Sequence, residues 1–278
     1  MATKITLDKT TITLVKGDTT TLTATVTPDN ATKSVVWTSS DETIATVKDG
    51  KIEATGYGVV TITASSGDQY ATCEVSVICD DETCQFYTDI HEDAWYHAAV
   101  DYVTEYKVMQ GMGNKQFAPE SSLTRAQLVQ ILYKMEGKPA YAVKDKFSDI
   151  QEKEDGQDVW YYDAVMWAAS EGIVTGYEEK EFKPDRKITC QEMVTIIHRY
   201  AVDYKQELTG KVTKDLDQFE DGDSAGVWDK DSFAWTVQNG IVNGKDGNLV
   251  PADNARRAEA AKIMTVYCVL TGYAETID

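Results

Sequence analysis

The chain has 278 residues, 46 of them acidic and 27 basic, for a formal net charge of −19. That balance argues against nucleic acid as a partner, because phosphate recognition needs a basic face, and against loose attraction to an anionic envelope. No apolar run approaches the roughly 20 residues that span a bilayer, so no membrane insertion is expected, while 42% hydrophobic residues suffice for real cores. The opening MATKITLDKT has neither the apolar stretch nor the cleavage site of a signal peptide. A cytoplasmic chain and a mature fragment with a replaced start both stay open at this point.

From the N-terminus to about residue 78 the sequence alternates apolar and polar residues. KITL, TITLV, TLTATV, VVWTSS, TIATV, KIEAT, VVTITA and TCEVSV read as short strands. KGD, PDN, the Asp-Gly at 49–50, GYG and SGD read as the turns between them. Many short alternating strands predict a β-sandwich, with Val36, Ile44, Val47 and Ile62 inside and Trp37 as a large buried anchor. The run VVWTSSDETIATVKDGKIEATGYGVVTITA resembles the group 2 bacterial immunoglobulin-like domain. That resemblance implies an extracellular spacer, or less commonly an adhesion module; this copy has neither an aromatic cluster nor a basic patch to favour adhesion. Of the five cysteines, Cys73, Cys79 and Cys84 crowd near residue 80, with Cys190 and Cys268 far away. Free thiols, disulfides and a metal site stay open for them, although CDDETC lacks a second ligand pair.

Beyond Tyr87 the period becomes helical and a threefold repeat appears. Counting from Trp95, Trp160 and Trp228, a Gly expected to end the following helix lies 16 residues on, at Gly111, Gly176 and Gly244. A Pro follows at Pro119, Pro184 and Pro251, then an Arg slot holding Arg125, Cys190 and Arg257. An aromatic-x-Asp precedes each Trp, ending in Asp89, Asp149 and Asp221, and another aromatic follows by seven: Tyr102, Trp167 and Trp235. Each repeat predicts a first helix, such as WYYDAVMWAASEGIV with Trp160, Ala164, Val165, Trp167 and Ala168 on its apolar face. A loop with an apolar plug (Phe117, Phe182, Leu249) and a second helix complete the unit. Thr124 and Thr189 stand at its N-cap with Gln127 and Glu192 at capping-box spacing.

The aromatic-x-Asp openings, GIVTG and GIVNG, and the boxes TRAQ, TCQE and RRAE resemble the S-layer homology family, present as a full set of three repeats over about residues 85–273. The two resemblances together imply a multidomain chain: an all-β Ig-like sandwich followed by an all-α, pseudo-threefold trimer of helix-loop-helix repeats. The expected divisions are 1–79, 80–143, 144–214 and 215–278. The family implies an extracellular, cell-wall or S-layer location in a Gram-positive bacterium. It also implies grooves between repeats that bind secondary cell wall polysaccharide, often through pyruvylated sugars. No cofactor is implied. A rival reading is a protein-binding, adhesin or self-assembling array module with degenerate grooves, whose partners are neighbouring surface-layer proteins.

Catalysis finds no support. His91, His97 and His198 offer neither metal spacing nor a triad; His91 and His97 read as surface residues and His198 as a flank of the core. DLDQFEDGDSAGVWDKD fails the calcium-loop spacing and reads as a solvated loop. The candidate glycan contacts are then weighed one by one. Arg125 and Arg257 either decorate a helix start, slightly against the macrodipole, or form with free helix-start N–H groups a corner for a pyruvyl carboxylate. Thr124, Thr189 and Arg256 flank that corner. Trp95, Trp160 and Trp228 either anchor the core or stack on a sugar ring. Asp89, Asp149 and Asp221 either fix the turn or bond sugar hydroxyls, and Gly111, Gly176 and Gly244 are backbone solutions that also admit a ligand closely. Cys190 lacks the guanidinium fork, which would weaken its groove by roughly 1.5–3 kcal/mol.

Overall fold

In the computed structural model, which describes residues 4–28, 34–78, 86–91, 94–143, 145–226 and 230–273, the alternating segments form nine strands. They are β1 (Lys4–Leu7), β2 (Thr11–Val15), β3 (Thr19–Thr21), β4 (Ala24–Thr27), β5 (Val36–Ser39), β6 (Ala45–Lys48), β7 (Lys51–Ala54), β8 (Gly58–Ser66) and β9 (Gln69–Ile78). One sheet runs β2-β9-β8-β5 with β2 parallel to β9, another runs β3-β7-β6, and β1 pairs with β4. Asp49 and Gly50 both have positive φ, the two-residue turn that an Asp-Gly pair favours between antiparallel strands. Leu22, Ile44, Ile52, Ile62, Cys73 and Val75 are fully buried.

The interior differs from expectation at β5. Val36 is 55% exposed, and Trp37 is only half-buried, as is Val47. Two adjacent strand residues cannot share a face, and Trp37 takes the inner one, its ring over Gly50. Alternation also fails at the start of β8, where Gly58, Val59 and Val60 are all buried. There a helix, α1 (His97–Glu105), covers the outer face: Val59, Ile78 and Ala98 form one cluster. A Cβ on Gly58 would stand 2.8 Å from both Ile44 and the Tyr102 ring. Residues 1–119 with 264–278 accordingly make one compact unit, and 120–263 the other.

After α1 come α2 (Arg125–Met135), β10 (Lys153–Glu154), β11 (Gln157–Asp158), α3 (Tyr162–Ser170), α4 (Cys190–His198), a π-helical run Arg199–Tyr204, α5 (Lys230–Gln238) and α6 (Arg257–Thr271). This half is mixed helix and strand, which corrects the all-α expectation. Besides the β10–β11 hairpin, Ser122 bridges Arg256, Thr124 bridges Lys187, and Thr189 bridges Asn254. The cause is local: Thr124 and Thr189 have extended backbone, with ψ of 161° and 162°. Extended segments expose N–H and C=O groups that need partners, and neighbouring loops supply them in β fashion. A helical period in the sequence carries no trace of such one-residue pairing.

Helix ends also shift. α1, α3 and α5 stop before Lys107, Gly172 and Gly240, each in the left-handed region and each 12 residues after its Trp, so the glycines at 16 do not end them. Tyr102, Trp167 and Trp235 are the buried aromatic anchors. Trp160 instead precedes α3 and is 57% exposed. His97 is buried on α1 with Asp101 3.4 Å away, one turn along the helix, rather than on the surface. His198 is half-buried with Nδ1 3.1 Å from Ser232 Oγ. Cys73, Cys190 and Cys268 form no disulfide among the described residues; Cys79 and Cys84 lie outside them.

Candidate functional site

The loops that lead into α2, α4 and α6 are tied to one another in a closed cycle. Leu123 N donates to Ala255 O (2.9 Å), Ala255 N to Ile188 O (2.8 Å), and Ile188 N to Leu123 O (3.0 Å). Each helix start then docks on the next loop. Arg125 N and Ala126 N donate to Arg186 O and Pro184 O, Cys190 N and Gln191 N to Asp253 O and Pro251 O, and Arg257 N to Ser121 O. The helix-start amides are therefore occupied, which corrects the expectation that they stay free for a ligand. Thr124 and Thr189 complete true capping boxes with Gln127 and Glu192. Arg256 takes their place in the third copy: its amide and guanidinium both bind Glu259, and Nη1 reaches Glu120 at 2.7 Å.

The aspartates clamp the plug loops. Asp89 accepts from Phe117 N and Ala118 N, Asp149 from Phe182 N and Lys183 N, and Asp221 from Leu249 N and Val250 N, all at 2.6–2.8 Å. Ala118, Lys183 and Val250 share a positive φ of 47–58°, a strained turn that two charge-assisted bonds hold in place. Gly111, Gly176 and Gly244 lie against the opening aromatics: a Cβ would stand 2.4–2.5 Å from the rings of Tyr87, Phe147 and Phe219. Trp95 and Trp160 are 54% and 57% exposed, each edge-on to the following Tyr. Trp228 lies outside the described residues.

Arg125 is buried, and so is Arg257. From the start of α2 the Arg125 side chain enters a cleft of about 220 Å³ lined by Val174, Gly176, Tyr177, Glu192, Thr195 and Arg199, among others. Its Nε donates to Phe182 O at 2.9 Å, and its guanidinium lies 4.4 Å from the Tyr177 ring centroid and 4.8 Å from that of Phe182. The nearest carboxylate oxygen, Glu192 Oε1, is 4.0 Å from Nη1, beyond hydrogen-bond reach. Burial lowers the Arg125 pKa, opposed by Tyr177 and Glu192. The side chain of Arg199, at the head of the π-helical run, makes no hydrogen bond or ion pair among the described residues, while its amide donates to Thr195 O and Ile196 O. Burial would raise the Glu192 carboxyl, but the Thr189 amide, the Tyr177 hydroxyl, Arg186 and Arg125 outweigh it and hold it below the usual range. Burial, then the bond to Glu192, pushes the Tyr177 phenol up to about 12.

Sequence reading missed Tyr177, Arg186 and Arg199. Aligning the copies exposes the first two: one past the Gly stand Met112, Tyr177 and Lys245, and two past the Pro stand Ser121, Arg186 and Asp253. Cys190 occupies the Arg125 position but packs against the cluster of Phe219, Phe233 and Leu249. Burial, with Glu259 and Asp253 nearby, pushes its thiol up to about 12, so it stays neutral. The surface beside it is an open cavity of about 530 Å³ lined by Lys245, Asp253, Arg256 and Glu259 among others. One pair of arginines, Arg125 and Arg186, is thus replaced there by a thiol and a carboxylate.

The group 2 bacterial Ig-like family matches residues 1–75, and the S-layer homology family matches 86–129, 154–194 and 219–261. An amylopullulanase of Thermoanaerobacterium thermosulfurigenes is 30% identical over 77% of this chain and 11% of its own. A surface-layer 125 kDa protein of Lysinibacillus sphaericus is 30% identical over 54% of this chain and 12% of its own. A cellulosome-anchoring protein of Acetivibrio thermocellus is 27% identical over 41% of this chain and 25% of its own. In each case the match takes up a quarter or less of the relative's length.

Proposed function

The chain carries a group 2 bacterial Ig-like domain followed by three S-layer homology repeats, and from that premise we propose that it anchors a surface protein non-covalently through a carboxylated secondary cell wall polysaccharide. Its location is extracellular and cell-wall associated, and both families are non-catalytic surface-anchoring modules. The observation that carries the ligand class is Arg125. Its terminal nitrogens face the cleft with no hydrogen bond among the described residues, and a carboxylate entering the cleft would meet them in a bidentate, charge-assisted pair. Arg199, on the same cleft, adds a second positive group. A pyruvyl ketal supplies such a carboxylate on a sugar ring. The chain is strongly acidic overall, so selectivity rests on these few groups rather than on general attraction.

The Cys190 position offers no such clamp, and we assign it little or no anion binding. The exposed Trp95 and Trp160 are suited to stack on sugar rings at the wall. The Ig-like sandwich serves as a spacer. Sedimentation with purified Gram-positive walls tests the reading, before and after acid stripping of the secondary polymer. Binding should vanish on stripping. Arg125→Ala should weaken it at least tenfold, the equivalent of one charge-assisted hydrogen bond, and Cys190→Ala should leave it intact. Binding that survives stripping points to a protein partner instead.

A further inference from the structure

Resting on Arg125 as the carboxylate clamp, we propose that Arg186 is a positioning residue that keeps the clamp open by holding the cleft's own carboxylate. Glu192 has two guanidiniums within range. Arg186 Nη1 donates to Oε1 at 3.1 Å, whereas Arg125 Nη1 stays 4.0 Å from the same oxygen. The Tyr177 hydroxyl also donates to Oε1, and the Thr189 amide donates to Oε2 at 3.0 Å. Both guanidiniums lie against the Tyr177 ring, at 4.4 and 4.7 Å from its centroid, so one ring fixes their separation. With Arg186 present, Glu192 is saturated and Arg125 is left to the ligand. Without it, Oε1 loses its charged partner, and the nearest replacement is Arg125. An internal ion pair would then fill the clamp.

Two of the three copies pair this carboxylate with an arginine of its own, although the groove that Glu259 lines holds Cys190 where Arg125 would stand. Glu192 holds the position that Gln127 and Glu259 hold elsewhere. Where the residue is a carboxylate, a separate arginine takes it: Arg186 takes Glu192, and Arg256 takes Glu259 through Nε and Nη2 at 3.1 and 2.7 Å. Where it is Gln127, the two positions that supply those arginines are Ser121 and Thr124. A neutral amide cannot capture a neighbouring clamp, and no guard arginine accompanies it.

The test is calorimetric titration of the full chain with a synthetic hexoside carrying a pyruvyl ketal. Arg186→Ala should weaken binding roughly tenfold, as losing one charge-assisted contact does. Adding Glu192→Gln to that variant should restore most of the affinity, because the capturing carboxylate is gone while the cap survives, as Gln127 shows in the first copy. Adding Glu181→Gln instead restores the same net charge without touching the captor, and should not rescue. Wild-type affinity in Arg186→Ala, failure of the Glu192→Gln rescue, or equal rescue by Glu181→Gln would each overturn the proposal. Undiminished binding in Arg125→Ala overturns the clamp reading itself, whereas its loss beside an unaffected Arg186→Ala overturns only the role of Arg186.

Discussion

Glu192 joins three jobs in one side chain: it caps α4, orients Tyr177 and occupies Arg186. Its folded pKa lies below the ordinary carboxylate value, despite burial, because of the amide, hydroxyl and arginines around it. Its contribution to stability is therefore present above the unfolded value of about 4.3 and is lost as pH falls through the depressed folded one. The urea midpoints of wild type and Glu192→Gln should differ at neutral pH and converge below about pH 4; a gap that persists to lower pH would remove Glu192 from the acid response. The capping role was legible in the sequence, since Thr189 and Glu192 sit three apart. The network was not, because Tyr177 and Arg186 reach Glu192 from loops whose residues carry no periodic signal. Trp160 misled for a related reason. It precedes its helix, so a helical wheel assigns it a face it does not share.

At the scale of elements, caps and glycines decide where each helix begins and what it touches. Thr189→Ala should cost about 1 kcal/mol in chemical denaturation, with binding little changed, because the hydroxyl is already engaged by the Glu192 amide. Gly176→Ala is the contrasting case. Its φ of 78° and a Cβ placed 2.5 Å from the Phe147 ring should cost about 2–4 kcal/mol together, and should weaken binding too, since Gly176 lines the cleft. Lys107 stands in the left-handed position that Gly172 and Gly240 fill after α3 and α5. Lys107→Gly should stabilise by up to about 1 kcal/mol in the same assay. The plug and Pro of each repeat, and the caps of the first two, could be read directly from their recurrence. The true helix stops were hidden because one of the three is a lysine.

For the molecule, the order of domains was plain from the change of period at Tyr87, but the packing of α1 on the sandwich was not. Gly58 sits in GYG, which reads as a turn, yet its missing side chain makes room for Tyr102. The Ig-like sandwich is thus seated on the first helix of the first repeat. Gly58→Val should accelerate amide exchange in α1 as well as in β8 and β9; a change confined to the strands would show that the two pack independently. The mixed character of the helical half was illegible for the reason already visible at Thr124 and Thr189: its β pairing lasts only one or two residues at a time.

The hydrogen-bond cycle through Leu123, Ile188 and Ala255 has one more effect. It links positions 65 to 132 residues apart along the chain, and such long-range closure raises contact order and slows folding. A cycle also has no terminus from which to fray. Contacts of that kind, where they form after the transition state, slow unfolding rather than shift the equilibrium alone. What such a closed ring supplies is kinetic persistence: the time the fold lasts before it opens.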